Sequence, residues 1–373
     1  MYRGIQLFSV RGGGAVNARR AVNARKAVNA RRAVNARKAP QESTNGGIAL
    51  HAATLEWVLA GAGLASVGIF AKHWLTKRTE RNKLLVDVQK DGELLTHASD
   101  ALKNDYEVVL AAVEQNGHAL RYASELRRDT YTIVLAAVKQ NGRALEYASD
   151  ELRDHDNVVL AAVEQNGRAL FYASEELKGD REVVLAAVKQ NGSALCFASG
   201  ELRADSEVVL EAVKRDGLAL QFASDELKND REVVLEAVKR DTLALFYASK
   251  ELKNDREVVL VAVRERGGAL FYASKELKND REVVLAAVKQ CGYAIQYAST
   301  ELQGDREVVL EAVKQCGYAL QYVPQKLQDD LEVVLVAVKN SFGALKYASD
   351  RWKILIQEAN KHGVLENMKF NIL

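Results

Sequence analysis

The sequence predicts an all-α fold: an α-solenoid of about eleven 25-residue helical-hairpin repeats, behind a disordered basic N-terminal arm and a hydrophobic helix. Three observations carry this. Leu110, Leu135, Leu160, Leu185, Leu210, Leu235, Leu260, Leu285, Leu310 and Leu335 hold the same place in successive 25-residue units, and Leu85 opens an eleventh, more divergent one. The shared string D-x-E-V-V-L-A-A-V-K-Q-N-G-x-A-L-x-Y-A-S-x-E-L-K-N has helical spacing of apolar residues and none of the alternation of a strand. A fixed period of this length marks stacked units, none of which can bury its apolar face alone.

The first helix of each unit has a start signal. In the unit from Asp255, Asn254 and Asp255 precede Glu257, an Asx cap with an acid in the first turn. Val258, Val259, Leu260, Ala262 and Val263 then cover an arc of roughly 200° on a helical wheel, too wide for one buried side. This helix is therefore expected between two neighbours. Gly267 is expected to end it in a left-handed C′ position. Thr242 and Phe342 replace that glycine, so their turns should be strained or shifted.

A second, amphipathic helix is expected to follow. Over 117–128, Ala119, Leu120, Ala123 and Leu126 share one side, with His118, Arg121 and Glu125 opposite. An aromatic column runs through these helices from Tyr122 to Tyr347 and reads as filling between layers rather than as a stacking platform. Pro324 replaces the usual serine inside the Tyr322-Val323-Pro324 string, where a proline should break the helix or delay its start. After Ser349 the period fails, and residues 350–373 read as a C-terminal cap in which Ile354 to Gly363 resembles a first helix arriving about four residues early.

The repeated V-V-L-A-A-V-K-Q-N-G-x-A-L-x-Y-A-S strings, as in Val134 to Ser149 and Val284 to Ser299, resemble the tandem helical family known only as domain of unknown function 4116. The resemblance covers about residues 84–349. It implies a helical repeat fold and brings no activity, substrate or catalytic residue.

Charge divides the chain. Residues 1–46 carry ten Lys/Arg against Glu42 alone, 47–83 carry five against two, and the remaining 37 basic and 47 acidic residues leave 84–373 at −10. An acidic stack is a poor ligand for a phosphate backbone, whose affinity comes from Lys and Arg. The arm repeats A-V-N-A-R-R/K four times from Ala15 to Lys38. Six residues turn a helix by about 600°, so no apolar face forms and the segment should be extended. Three readings stay open for it: an electrostatic hook for nucleic acid or anionic membrane, a transit peptide, or a tandem expansion without a task.

Residues 47–83 contain a hydrophobic segment. Trp57 to Ala71 is fifteen residues without a charge, and Trp57 and Trp74 bracket 18 residues, roughly 26 Å of helix. Two terminal tryptophans suit a membrane interface, and Lys72, Lys77, Arg78, Arg81 and Lys83 would then hold the repeats on the cytoplasmic side. The alternative is a helix that docks as the first cap of the solenoid. Without a membrane the chain is expected in the cytoplasm, or in an organelle should the arm be a transit peptide.

No catalytic constellation, metal site or cofactor motif emerges. The six histidines lack ligand spacing, Asp154-His155-Asp156 reads as an inter-unit turn, and Cys196, Cys291 and Cys316 do not form a disulfide framework. The candidate site comes from columns that vary between units. The residue after the glycine and the one three further on place Leu218, Leu243, Phe246, Phe271, Tyr293 and Tyr318, with Phe171 beyond them, on the outer stripe of the second helix. Large apolar groups clustered where polar ones are free to occur mark an interface. The expected function is a non-enzymatic scaffold for protein–protein interaction, tethered to a membrane through 57–74. The alternative has the basic arm bind nucleic acid or anionic membrane with the repeats as spacer.

Overall fold

A computed structural model of the protein describes residues 64–361. The chain divides into two units, residues 1–77 and 78–373, and the repeat stack belongs to the second. Among the described residues there is no strand. Ten layers each open with a ten-residue α-helix, from Tyr106–Gln115 to Leu331–Asn340, and the end of the Leu64–Val88 helix with Gly92–His97 and Asp100–Lys103 makes an eleventh.

A layer has three segments rather than two. In one, the α-helix Tyr106–Gln115 is capped by Asp105, whose side chain accepts from the Val108 N–H at 3.1 Å. It ends at Asn116, which is extended (φ −144°, ψ 107°) and whose side chain accepts from the His118 N–H, so one residue closes the first helix and caps the next. The expected second α-helix is instead a 3-10 helix, Gly117–Tyr122, then an extended Ala123, then a short α-turn, Glu125–Arg128, capped by Ser124. The anticipated cap at Asp255 is present, accepting from the Glu257 and Val258 N–H groups.

The core runs the length of the stack. In each of the ten layers that open with a ten-residue helix, two valines (Ile133 in one), an alanine and a third valine of that helix pack with an alanine and a leucine (Ile295 in one) of the 3-10 helix. Burying one such leucine completely contributes about 1.5–3 kcal/mol. A leucine three residues after the Ser cap closes the core in most layers, for example Leu152 and Leu177. The 117–128 unit differs because Arg127 holds that position, which puts Leu126 out of register and 59% exposed, not on the buried side.

The glycine is required by proximity, not by a left-handed turn. A Cβ on Gly142 would stand 2.2 Å from the Ala162 carbonyl oxygen of the next layer, and one on Gly117 would stand 2.4 Å from that of Ala137. None of these glycines has positive φ. Where it is replaced, the same segments form, but the preceding residue opens. Its ψ is 117° at Asp241 and 114° at Ser341, against 101° to 108° before the glycines and 106° before Gly292. Thr242 is buried and Phe342 is exposed.

Pro324 does not break a helix, because the chain is already broken there. Each Ser cap sits near φ −60°, as Ser274's neighbour Ser299 does at −59°, and Pro324 adopts −59° in the same place. The cost lies between layers. Ser124 donates its backbone N–H to the Lys103 carbonyl, Ser299 to that of Lys278, and so on to Ser349 and Gln328, at every seam except the one at Pro324, which has no N–H. At the C-terminus the short third segment runs straight on as Asp350–Lys361, rather than a first helix arriving early. It buries Ile356 and leaves Ile354 and Leu355 exposed.

The membrane-span expectation is not supported. No helix of the described residues is long and apolar enough to cross a membrane. The helix Leu64–Val88 instead carries the basic run Lys72 to Lys83 within its length, and its last turns pack Leu84, Leu85 and Val88 on the first layer. Trp74 lies in this helix and is exposed. Trp57, the basic arm and the rest of residues 1–63 lie outside the described residues.

A charged ladder joins successive first helices, in most layers between their N-terminal turns. Arg231 donates to Asp255 at 3.0 Å and to Glu257, and Arg81, Arg181, Arg256, Arg281 and Arg306 repeat the arrangement. Exposed pairs contribute little each, about 0–1 kcal/mol. Here the carboxylate also caps its own helix. At Asp330 the Arg306 hydrogen bond is the main influence and holds the carboxyl below its usual range. At Asp305 the Val308 N–H leads. At Asp105, Asp205, Asp255 and Asp280 burial pushes upward most strongly, yet the cap and arginine bonds together bring the carboxyl down. A depressed folded-state pKa adds stability above the unfolded value of about 3.9, lost as pH falls through the folded value. The melting temperature by circular dichroism should therefore be level above about pH 5 and drop on acidification below about pH 4; a rise there would contradict the assignment. Gly142→Ala should cost about 1–3 kcal/mol in urea unfolding, because the methyl meets a backbone carbonyl. Gly268→Ala, which meets nothing within 4 Å, should leave stability unchanged or raise it by about 0.5–1 kcal/mol.

Candidate partner-binding face

A 3-10 helix has three residues per turn, so side chains three apart eclipse. In G-x-A-L-x-Y the glycine and leucine face the core, the alanine and tyrosine the adjoining seam, and the two variable residues the outside. The stripe drawn from residues i and i+3 is therefore one straight edge of each layer, and the 3-10 helices stack on one another from layer to layer.

The structure places the seven candidate residues unequally along that edge. Phe246 and Phe271 are each 53% exposed, Phe171 is 55% exposed and Tyr293 37%, whereas Leu218, Leu243 and Tyr318 are half-buried. Phe246 and Phe271 occupy adjacent layers. Phe246 meets Tyr272 edge-on at 5.5 Å and its own neighbour Tyr247 at 5.0 Å; Phe271 meets Tyr297 and Tyr272, each at 5.1 Å. Five rings thus form one edge-to-face run. Beyond it, Tyr293 meets Tyr322 at 6.2 Å and Tyr318 meets Tyr347 at 6.4 Å. Phe171 stands apart, against Phe197.

The inner tyrosine and phenylalanine column is half-buried against the core, as expected of rings that fill seams. The Tyr122 hydroxyl donates to Glu93 at 2.9 Å. The outer phenylalanines rest on this column and so are held by rings on two layers.

Three lysines belong to the face that column comparison of the stripe alone does not select. Lys178, Lys253 and Lys278 place their ammonium groups 5.8, 5.5 and 5.6 Å from the ring centres of Phe171, Phe246 and Phe271. Lys253 and Lys278 also donate to the Phe246 and Phe271 carbonyls at 2.6 and 2.7 Å, at the C-terminal end of the 3-10 helix. Burial pushes both ammonium groups down from the usual lysine value. Tyr293 shares a hydrogen bond with Cys316, which pushes its hydroxyl pKa up. Cys196, Cys291 and Cys316 are free thiols.

Among the described residues no group of three or more His, Cys, Asp or Glu could hold a metal ion. His155 takes an N-cap position and stacks on Tyr131 at 5.1 Å.

The family model for a domain of unknown function (DUF4116) matches residues 85–128, 130–178, 156–203, 205–253, 254–303 and 305–353. The chain belongs to this family. Each match spans two layers, and the second and third overlap across 156–178, one layer. The family's unit is thus a pair of layers that can be drawn in either register on an even stack. Comparison with curated proteins and with solved structures returns no match.

Replacing Phe246 and Phe271 together by serine should lower unfolding free energy by no more than about 6 kcal/mol, since the four aromatic pairs they make are worth about 0.5–1.5 kcal/mol each. Urea unfolding checks this; a larger loss would mean the rings belong to the core.

Proposed function

We propose that the protein is a non-enzymatic scaffold that binds another protein along the 3-10 edge, with Phe246 and Phe271 as anchors. The observation that carries this is two outward phenylalanines in adjacent layers, each exposed over half its surface and each braced by rings below. A ring exposed in solution yet fixed in position costs little further side-chain entropy on binding, which is what a binding anchor needs. The rest of the stack sets their spacing and rigidity. The arginine ladder at the first-helix N-termini pairs its own charges from layer to layer.

A photo-crosslinking amino acid tests this in the cells that make the protein. Placed at Phe271 it should capture one discrete partner, with loss of the adduct when Phe246 is changed to serine. Placed at Glu232, on the first-helix side, it should capture none. Equal yields from the two positions would remove the edge as the binding surface.

A further inference from the structure

One position of the face changes from acidic to basic beside the two anchor phenylalanines. The residue after the serine cap, or after Pro324 in its place, reads Glu125, Asp150, Glu175, Gly200, Asp225, Lys250, Lys275, Thr300, Gln325 and Asp350. In four layers where it is acidic it pairs with the basic residue three further on: Asp150 with Arg153, Glu175 with Lys178, Asp225 with Lys228 and Asp350 with Lys353, at 3.5, 2.8, 3.6 and 2.9 Å. In the two layers of Phe246 and Phe271 it is lysine. Among the described residues Lys253 and Lys278 then have no carboxylate partner, only a backbone carbonyl and a ring. The nearby Glu251 and Glu276 hydrogen-bond to their own backbone and to Ser249 and Ser274, which holds both carboxyls down. Phe171 has the same ring and lysine, but Glu175 neutralises that lysine.

We infer that the Phe246–Phe271 patch takes an extended acidic polypeptide segment, whose two large apolar side chains dock beside the rings while its Asp or Glu side chains meet Lys250, Lys253, Lys275 and Lys278. This rests on the protein-binding role proposed for the edge. Two apolar groups on adjacent layers about 10 Å apart match a segment in the polyproline-II conformation, with three residues per turn and about 3.1 Å per residue, when they lie three residues apart on its one side. Four lysines within two layers of a stack that is otherwise acidic suit a short segment. A nucleic acid or a lipid surface would carry its negative charge onto the acids of the flanking layers. Electrostatic complementarity of this kind selects the partner and speeds its capture more than it adds affinity.

The full chain is tested by selecting phage-displayed random dodecapeptides on it. Enriched peptides are expected to carry two aromatic or large aliphatic residues three apart with adjacent acids, and to bind at least about tenfold more weakly to Lys250→Glu/Lys275→Glu. That double variant only restores the acid that Glu175 and Asp225 supply in other layers, and an unchanged circular dichroism melt confirms the stack. Peptides lost on Phe246→Ala/Phe271→Ala but indifferent to the two glutamates would overturn the acidic partner and leave the binding edge standing. Peptides indifferent to both pairs of changes would overturn the edge as well. Labelled oligo-dT and phosphatidylserine vesicles are run alongside; binding to either that exceeds the best peptide and falls with the glutamates would replace the polypeptide with that ligand.

Discussion

The approach of a glycine backbone to the alanine carbonyl of the next layer sets everything else in the stack. At 2.2 to 2.5 Å from that oxygen there is no room for a Cβ, so layers settle at a spacing that side chains alone would not allow. Fixing that distance fixes others. The backbone N–H of the Gly117 position reaches the Gln140 side chain of the following layer, and the Ser cap reaches the carbonyl closing the previous third segment. Valine and alanine suffice as core residues because the helices are this close; bulkier groups would hold them apart.

Polar groups lock the layers in register while the core supplies the driving force. Hydrophobic contact is non-directional and would tolerate sliding. A backbone bond between layers, a glutamine reaching a backbone N–H, and an arginine bridging a capping aspartate each have one geometry. Their net energies are small, so their role is to choose one stacking among many. The outer edge of the 3-10 helices joins in this at single positions, as where Ser193 donates to Asp216, and elsewhere is free to carry sequence that serves a partner.

The all-α repeat and its first helix were legible because ten copies average out accidents and because Asp caps and valine spacing are strong local signals. The second segment was not. Over six residues a period of 3.0 cannot be told from 3.6, so G-x-A-L-x-Y passed as an α-helix that ran on through Ala-Ser. That single error made Pro324 look disruptive and placed Leu126 on the buried side. Glycine was assigned to a turn because its usual reason is positive φ; close approach to another layer leaves no local trace. The stripe was legible, since three-residue spacing shares a face in either helix. Its lysines were available in the same columns and needed the ring contacts to give them meaning.

Because each layer touches only its neighbours, and because Ser-to-carbonyl bonds name no particular side chain, the number of layers is a free variable. Insertion or loss of one 25-residue block outside the phenylalanine pair would preserve the repeated backbone and core contacts and simply move the pair one rung nearer to, or farther from, one terminus. The length of the stack is then a molecular ruler, adjustable by unequal recombination within the gene without any need to redesign the surface it carries.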